Sequence, residues 1–139
     1  MPIINQIQKY INSLPQPKQT DVAALHSHIL KFQPTVKLWF LDGKNKEGKI
    51  VSNPNIGYGG IELKYTNGTT KPFYKVGISA NTTGVSVYIM GLANTNYLQE
   101  TYGKSIGNAT VTGYCIKFKT LNDIDFKVLS KVIEEALNE

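Results

Sequence analysis

Arginine is absent from this chain: all 15 of its basic side chains are lysine, set against 10 aspartates and glutamates for a formal charge of +5. The flat guanidinium fork that grips phosphate or carboxylate through paired hydrogen bonds is therefore missing. A basic balance made of lysine alone fits solubility and weak, salt-sensitive attraction to polyanions, not sequence-specific readout of nucleic acid. Cysteine is nearly absent too, and the lone Cys115 excludes an internal disulfide. No apolar run approaches the ~20 residues needed to span a bilayer, so no membrane partner is expected. The first residues lack the basic, apolar and small-residue series of a signal peptide, and the expected compartment is the cytoplasm. In that setting the Asn-x-Thr triplets at Asn67, Asn81 and Asn108 read as turn asparagines and not as glycan acceptors.

What the sequence does have is alternation. At 139 residues the chain fits one domain, 1–139, long enough to bury a core without staples, and no repeat or linker divides it. From Ile56 to Leu92, apolar and polar residues alternate through three runs, Gly57 to Tyr65, Phe73 to Ala80 and Val85 to Met90. Thr66-Asn67-Gly68-Thr69 and Asn81-Thr82-Thr83-Gly84 separate them, both rich in turn residues, and the reading is an antiparallel meander.

Helical spacing of Ile3, Ile4, Ile7, Tyr10, Ile11 and Leu14 predicts an amphipathic helix that stops before Pro15. A second helix is expected from about Pro17 to Phe32, with an apolar face of Val22, Leu25, Ile29 and Phe32. Val36, Leu38 and Phe40 mark a short strand. The segment Asp42 to Lys49 is too polar and glycine-rich for the core, and reads either as a long hairpin tip closed by Ile50 and Val51 or as a surface loop. A short helix near 94–102, a strand around Tyr114, Ile116 and Phe118, and a final helix complete the chain. Asn122 or Asp123 is the expected cap of that helix, and Ile124, Val128, Leu129, Val132, Ile133 and Leu137 its stripe. The fold class is α+β: a mainly antiparallel sheet of about five to six strands, flanked by N-terminal helices and a C-terminal helix.

Period two sorts the meander into faces. Ile61, Leu63 and Tyr65, then Tyr74, Val76, Ile78 and Ala80, then Val85, Val87 and Ile89 should meet the helices. The other side carries Tyr58, Glu62, Lys64, Lys75, Ser79, Ser86, Tyr88 and Met90. Tyrosine with lysine on an open sheet can stack on a ring-bearing ligand. Tyr58, Lys64, Lys75, Tyr88 and Trp39 are thus the expected binding residues.

Other chemistry finds less support. His26 and His28 are two apart on a helix, about 200° around its axis, so they do not form a metal-clamping pair. Cys115 lies on the less apolar side of its strand, but no base is placed beside it by sequence. Gly103-Lys104-Ser105 resembles the end of a phosphate-binding loop, except that Leu98 stands where a glycine is required. Asp123 and Asp125, the tightest acidic pair, sit where carboxylates cap a helix.

Several landmarks, in order, carry a resemblance: Tyr10-Ile11-Asn12-Ser13-Leu14-Pro15, Trp39, Gly57-Tyr58-Gly59, Val85 through Met90, Tyr102-Gly103-Lys104, Gly113-Tyr114-Cys115-Ile116 and Leu121 through Asp125. The series resembles the YdhG-like domain family, small bacterial proteins largely of unknown function. The resemblance implies an α+β sheet flanked by helices. The broader group includes frataxin-like iron chaperones, which implies clustered acids that hold a hard cation through oxygen; here the acids are few, and Asp123 and Asp125 are the nearest match. Relatives also run from the tryptophan almost directly into Gly-Tyr-Gly, where this chain inserts Asp42 to Asn55.

The leading expectation is a non-enzymatic binding or accessory domain, monomeric or homodimeric, that holds a small molecule or protein partner on the tyrosine-bearing face, with no cofactor. Frataxin-like iron binding is the alternative, the only reading with a cofactor, and an enzyme using Cys115 is the third.

Overall fold

The structure, a computed structural model, describes residues 2–138. Helix α1 (Ile3–Ser13) buries Ile7, Tyr10 and Ile11, which recur three and four residues apart, and leaves Ile3 and Ile4 exposed in its first turn. Helix α2 (Lys18–Phe32) begins after Pro17 and buries Val22, Leu25 and Ile29 completely. Asp21, buried on the same helix, accepts the Leu121 N–H at 3.1 Å, a polar tie from α2 to the turn that precedes the last helix.

Strands β1 (Leu38–Leu41) and β2 (Asn55–Tyr58) pair antiparallel. The insertion between them is a hairpin, as one of its two sequence readings expects: Lys44 bridges to Ile50, and the Val51 N–H donates to Gly43 O at 2.8 Å. The chain then departs from expectation. The run from Gly57 to Tyr65 is not one strand, because Gly59 takes φ +75° and turns the backbone out of the sheet. Strands β3 (Ile61–Lys64) and β4 (Thr70–Phe73) form a separate two-stranded ribbon. Its two ends meet, since the Lys75 N–H donates to Tyr58 O at 3.0 Å.

Strands β5 (Val76–Asn81) and β6 (Gly84–Ile89) follow, then helix α3 (Tyr97–Tyr102), strands β7 (Thr110–Val111) and β8 (Cys115–Phe118), and helix α4 (Phe126–Leu137). The main sheet has six strands in the order β1-β2-β5-β6-β8-β7, every neighbouring pair antiparallel. The cap of α4 is Asp125, not Asn122 or Asp123: its Oδ1 accepts the N–H groups of Lys127 at 3.0 Å and Val128 at 3.4 Å. Leu121–Asp123 instead form a single 3-10 turn, which places the helix cap two residues later than the first acid.

Register fixes what each face carries. One row across the sheet is Leu38, Tyr58, Val76 and Ile89; two residues along lies Phe40, Ile56, Ile78, Val87 and Ile116; then come Ala80, Val85 and Phe118. These rows share one side of the pleat and enter a single apolar cluster with Ile7 and Ile11 of α1, Leu25 and Ile29 of α2, Leu98 of α3 and Leu129 and Ile133 of α4. Val85, Val87 and Ile89 are buried there, as their alternation predicts. No helix of the described residues is long and apolar enough to cross a membrane.

Candidate binding surface

The opposite side of the pleat carries two rows. The first is Trp39, Gly57, Gly77, Tyr88 and Cys115; the second is Leu41, Asn55, Ser79, Ser86, Lys117 and Thr110. Two adjacent glycines in the first row leave a shallow trough, and Tyr74 fills it. A Cβ built on Gly77 would lie 2.5 Å from the Tyr74 ring, and one on Gly57 would lie 2.6 Å from it and 2.8 Å from Trp39 Cβ. Tyr74 therefore lies on the outer face, not among the helices where period two assigned it; the bend at Lys75 breaks the alternation between Tyr74 and Val76.

Phe73 stacks on Tyr74 with ring centres 4.2 Å apart, and Trp39 approaches Phe73 at 6.3 Å. At the other end of the row Tyr88 and Tyr114 lie nearly parallel, 17° apart in plane and 6.1 Å in centre. An aromatic strip thus crosses the sheet from β1 to the start of β8. Its depth varies: Tyr74 is buried, Trp39, Phe73 and Tyr88 are half-buried, and Tyr114 is 55% exposed. Trp39 is fixed by its indole N–H, which donates to Gly59 O at 2.7 Å, and by Lys37 Nζ, 4.5 Å from its ring centre. Lys71 Nζ stands 5.7 Å from the Phe73 ring.

Of the five residues expected to form this surface, the structure brings two together. Trp39 and Tyr88 share a row. Tyr58 does not: it is fully buried on the helical side, and its hydroxyl meets His26 Nδ1 at 2.6 Å. The error comes from counting through Gly59, whose turn resets the alternation that the single-strand reading extended back from Glu62 and Lys64. Lys64 is exposed on the small ribbon, away from the aromatic row. Lys75 is buried beside Gly59, which Leu137 at the end of α4 also flanks. Tyr74, Phe73 and Tyr114 were the residues missed, and the facing glycines Gly57 and Gly77 were the signal that a ring must cover them.

Burial raises the Tyr88 hydroxyl above its ordinary pKa, with a further push from Cys115, and burial also raises Tyr74. Both phenols stay protonated at neutral pH; the buried Tyr74 hydroxyl donates to Asn55 Oδ1 at 3.4 Å, and the half-buried Tyr88 can donate a hydrogen bond at the rim of a stacked ring. Cys115 is 2% exposed, and burial pushes its thiol up although Ser86 and Lys117 draw it down. Alkylation of Cys115 by iodoacetamide at pH 7.5 is therefore expected to proceed at the rate of unfolding, not of a free thiol; rapid native-state labelling, followed by mass spectrometry, would contradict this.

Comparison of the chain with known protein families, with curated proteins and with solved structures gave no match.

Elsewhere, His28 Nε2 and Glu134 Oε2 pair at 2.9 Å between α2 and α4, over a groove of about 490 Å³ that Phe126 and Ser130 also line. Ser130 Oγ, buried in that groove, makes no hydrogen bond to His28 or to any other group. Asp125 is committed to its cap, and Asp123 faces a separate concavity with Lys117 and Lys119. Among the described residues no three His, Cys, Asp or Glu side chains converge as a metal would need.

Burial lowers the pKa of His26 below its ordinary 6.5. The unfolded chain then binds the proton more readily, so this histidine's contribution is complete above about pH 6.5 and is lost as pH falls through the folded value. Urea midpoints between pH 7.5 and 5 are expected to fall, and His26→Phe should flatten part of that slope. An unchanged slope would show that His26 is not the group responsible.

Proposed function

We propose that this chain is a non-enzymatic binding module whose working surface is the outer face of the six-stranded sheet. There it holds a planar ring, from a small ligand or from a partner. The reading rests on the near-parallel Tyr88 and Tyr114 rings, the second more than half exposed at 55%, on a face whose rear is a packed apolar core. A rigid sheet presents such rings without the ordering cost of a mobile loop. Membership of the YdhG-like group and a cytoplasmic setting belong to the same proposal, supported by the ordered landmarks from Tyr10 to Asp125.

A thermal-shift screen of planar aromatic compounds, Fe(II) and other divalent metals tests it. A ring-bearing compound should raise the midpoint, by about 2.7 kcal/mol of stability at a hundred times its dissociation constant. Tyr114→Ala should remove that shift. A shift from Fe(II) alone would move the protein to iron handling, and a ring compound indifferent to Tyr114→Ala would place the surface elsewhere.

A further inference from the structure

We propose that the ligand of this face is single-stranded nucleic acid, bound without sequence preference; this rests on the binding reading above and deepens it. Two properties of the face point to that chemistry together. The first is the spacing of its rings. From Trp39 on β1 to Cys115 on β8 the row crosses four strand intervals, about 19 Å at the usual spacing. Half-buried Trp39 and Phe73 stand at one end, Tyr88 and exposed Tyr114 at the other. Rings distributed over such a length suit several bases of one strand, each stacking on whatever aromatic face it meets.

The second is charge. Neither outer row contains an aspartate or glutamate, while Lys117 belongs to one of them and is exposed. Lys37 and Lys71 stand over the rings at the opposite end. Asp21, Glu134 and Glu135 lie on helices, Asp42 and Glu47 in the β1–β2 hairpin and Glu62 on the small ribbon, while Asp123 meets Lys117 and Lys119 in a concavity at the far edge of the second row, beyond the rings. Aromatic rings bordered by cations at both ends, with no carboxylate between them, match a backbone of phosphates with bases turned inward. The absence of arginine removes the commonest reader of a guanine edge, and stacking on aromatic rings accepts any base, which is why no sequence preference is expected.

Fluorescence anisotropy with a labelled ten-nucleotide oligothymidine tests the proposal, in 50 and 200 mM salt. Binding should weaken with salt at a log–log slope of about −2, as three lysines facing phosphates imply. Lys117→Gln should flatten that slope by about 0.7. Tyr114→Ala, checked for an unchanged fold by its unfolding midpoint, should weaken binding roughly ten-fold, and Tyr114→Phe should restore it. Equal competition by inorganic polyphosphate would show attraction by charge alone and overturn the inference, as would equal affinity for a duplex. If oligothymidine does not bind but an uncharged ring compound still does so through Tyr114, nucleic acid is excluded and the binding module stands. If neither binds, both readings fall.

Discussion

Gly77→Val is expected to lower the stability of this protein by about 1–3 kcal/mol, through overpacking and not through any loss of contact. A Cβ at this position would lie 2.5 to 2.8 Å from three atoms of the Tyr74 side chain, and Phe73, stacked on that ring at 4.2 Å, must move with it. The ring must therefore leave the trough, and with it goes the cover over Gly57. The same geometry supplies the control. Tyr74→Ala removes the obstacle, so the double variant should be less destabilised than the sum of the two, with a coupling of about 0.5–3 kcal/mol. Urea unfolding of the four proteins in that cycle measures it, and strict additivity would mean that Tyr74 does not occupy the trough in solution.

Tyr58→Ala should cost more, about 3–5 kcal/mol, because it empties a fully buried aromatic site between β2 and α2. Tyr58→Phe isolates the hydroxyl. Its loss leaves the half-buried His26 Nδ1 without the partner now at 2.6 Å, and a penalty of about 0.5–1.5 kcal/mol follows. Because Tyr58 is on the helical side, Tyr58→Phe should leave ligand binding at the outer face unaltered. A variant that folded normally yet lost binding would return Tyr58 to the surface on which its alternation in sequence first placed it.

That contrast shows what the sequence could and could not specify. The apolar faces of α1 and α4, the α+β class and the burial of Val85, Val87 and Ile89 follow from periodicity, and periodicity persists as long as a segment keeps one dihedral pattern. It fails at a residue that leaves the pattern. Gly59 at φ +75° is such a point, and the bend at Lys75 is another. Each resets the count, which is why Tyr58 and Tyr74 exchange sides relative to expectation. The site was half legible for the same reason. Trp39 and Tyr88 lie within unbroken strands and share one row of the outer face, whereas Phe73 and Tyr74 reach that face only because the ribbon folds back. Cys115 lies opposite Tyr88 on the outer side, as read, but its exposure of only 2% could not be told from a strand in which it alternates with the exposed Lys117.

The excursion between β2 and β5 leaves the sheet at Tyr58 and rejoins it at Lys75, where backbone groups bond across the gap at 3.0 Å. Segments closed at their base in this way tolerate changes of length, because the entropy of closing the loop grows only slowly with added residues. Asn67 and Gly68 at its exposed tip are accordingly a site for grafting a reporter peptide or a second module without disturbing the register of any strand in the main sheet.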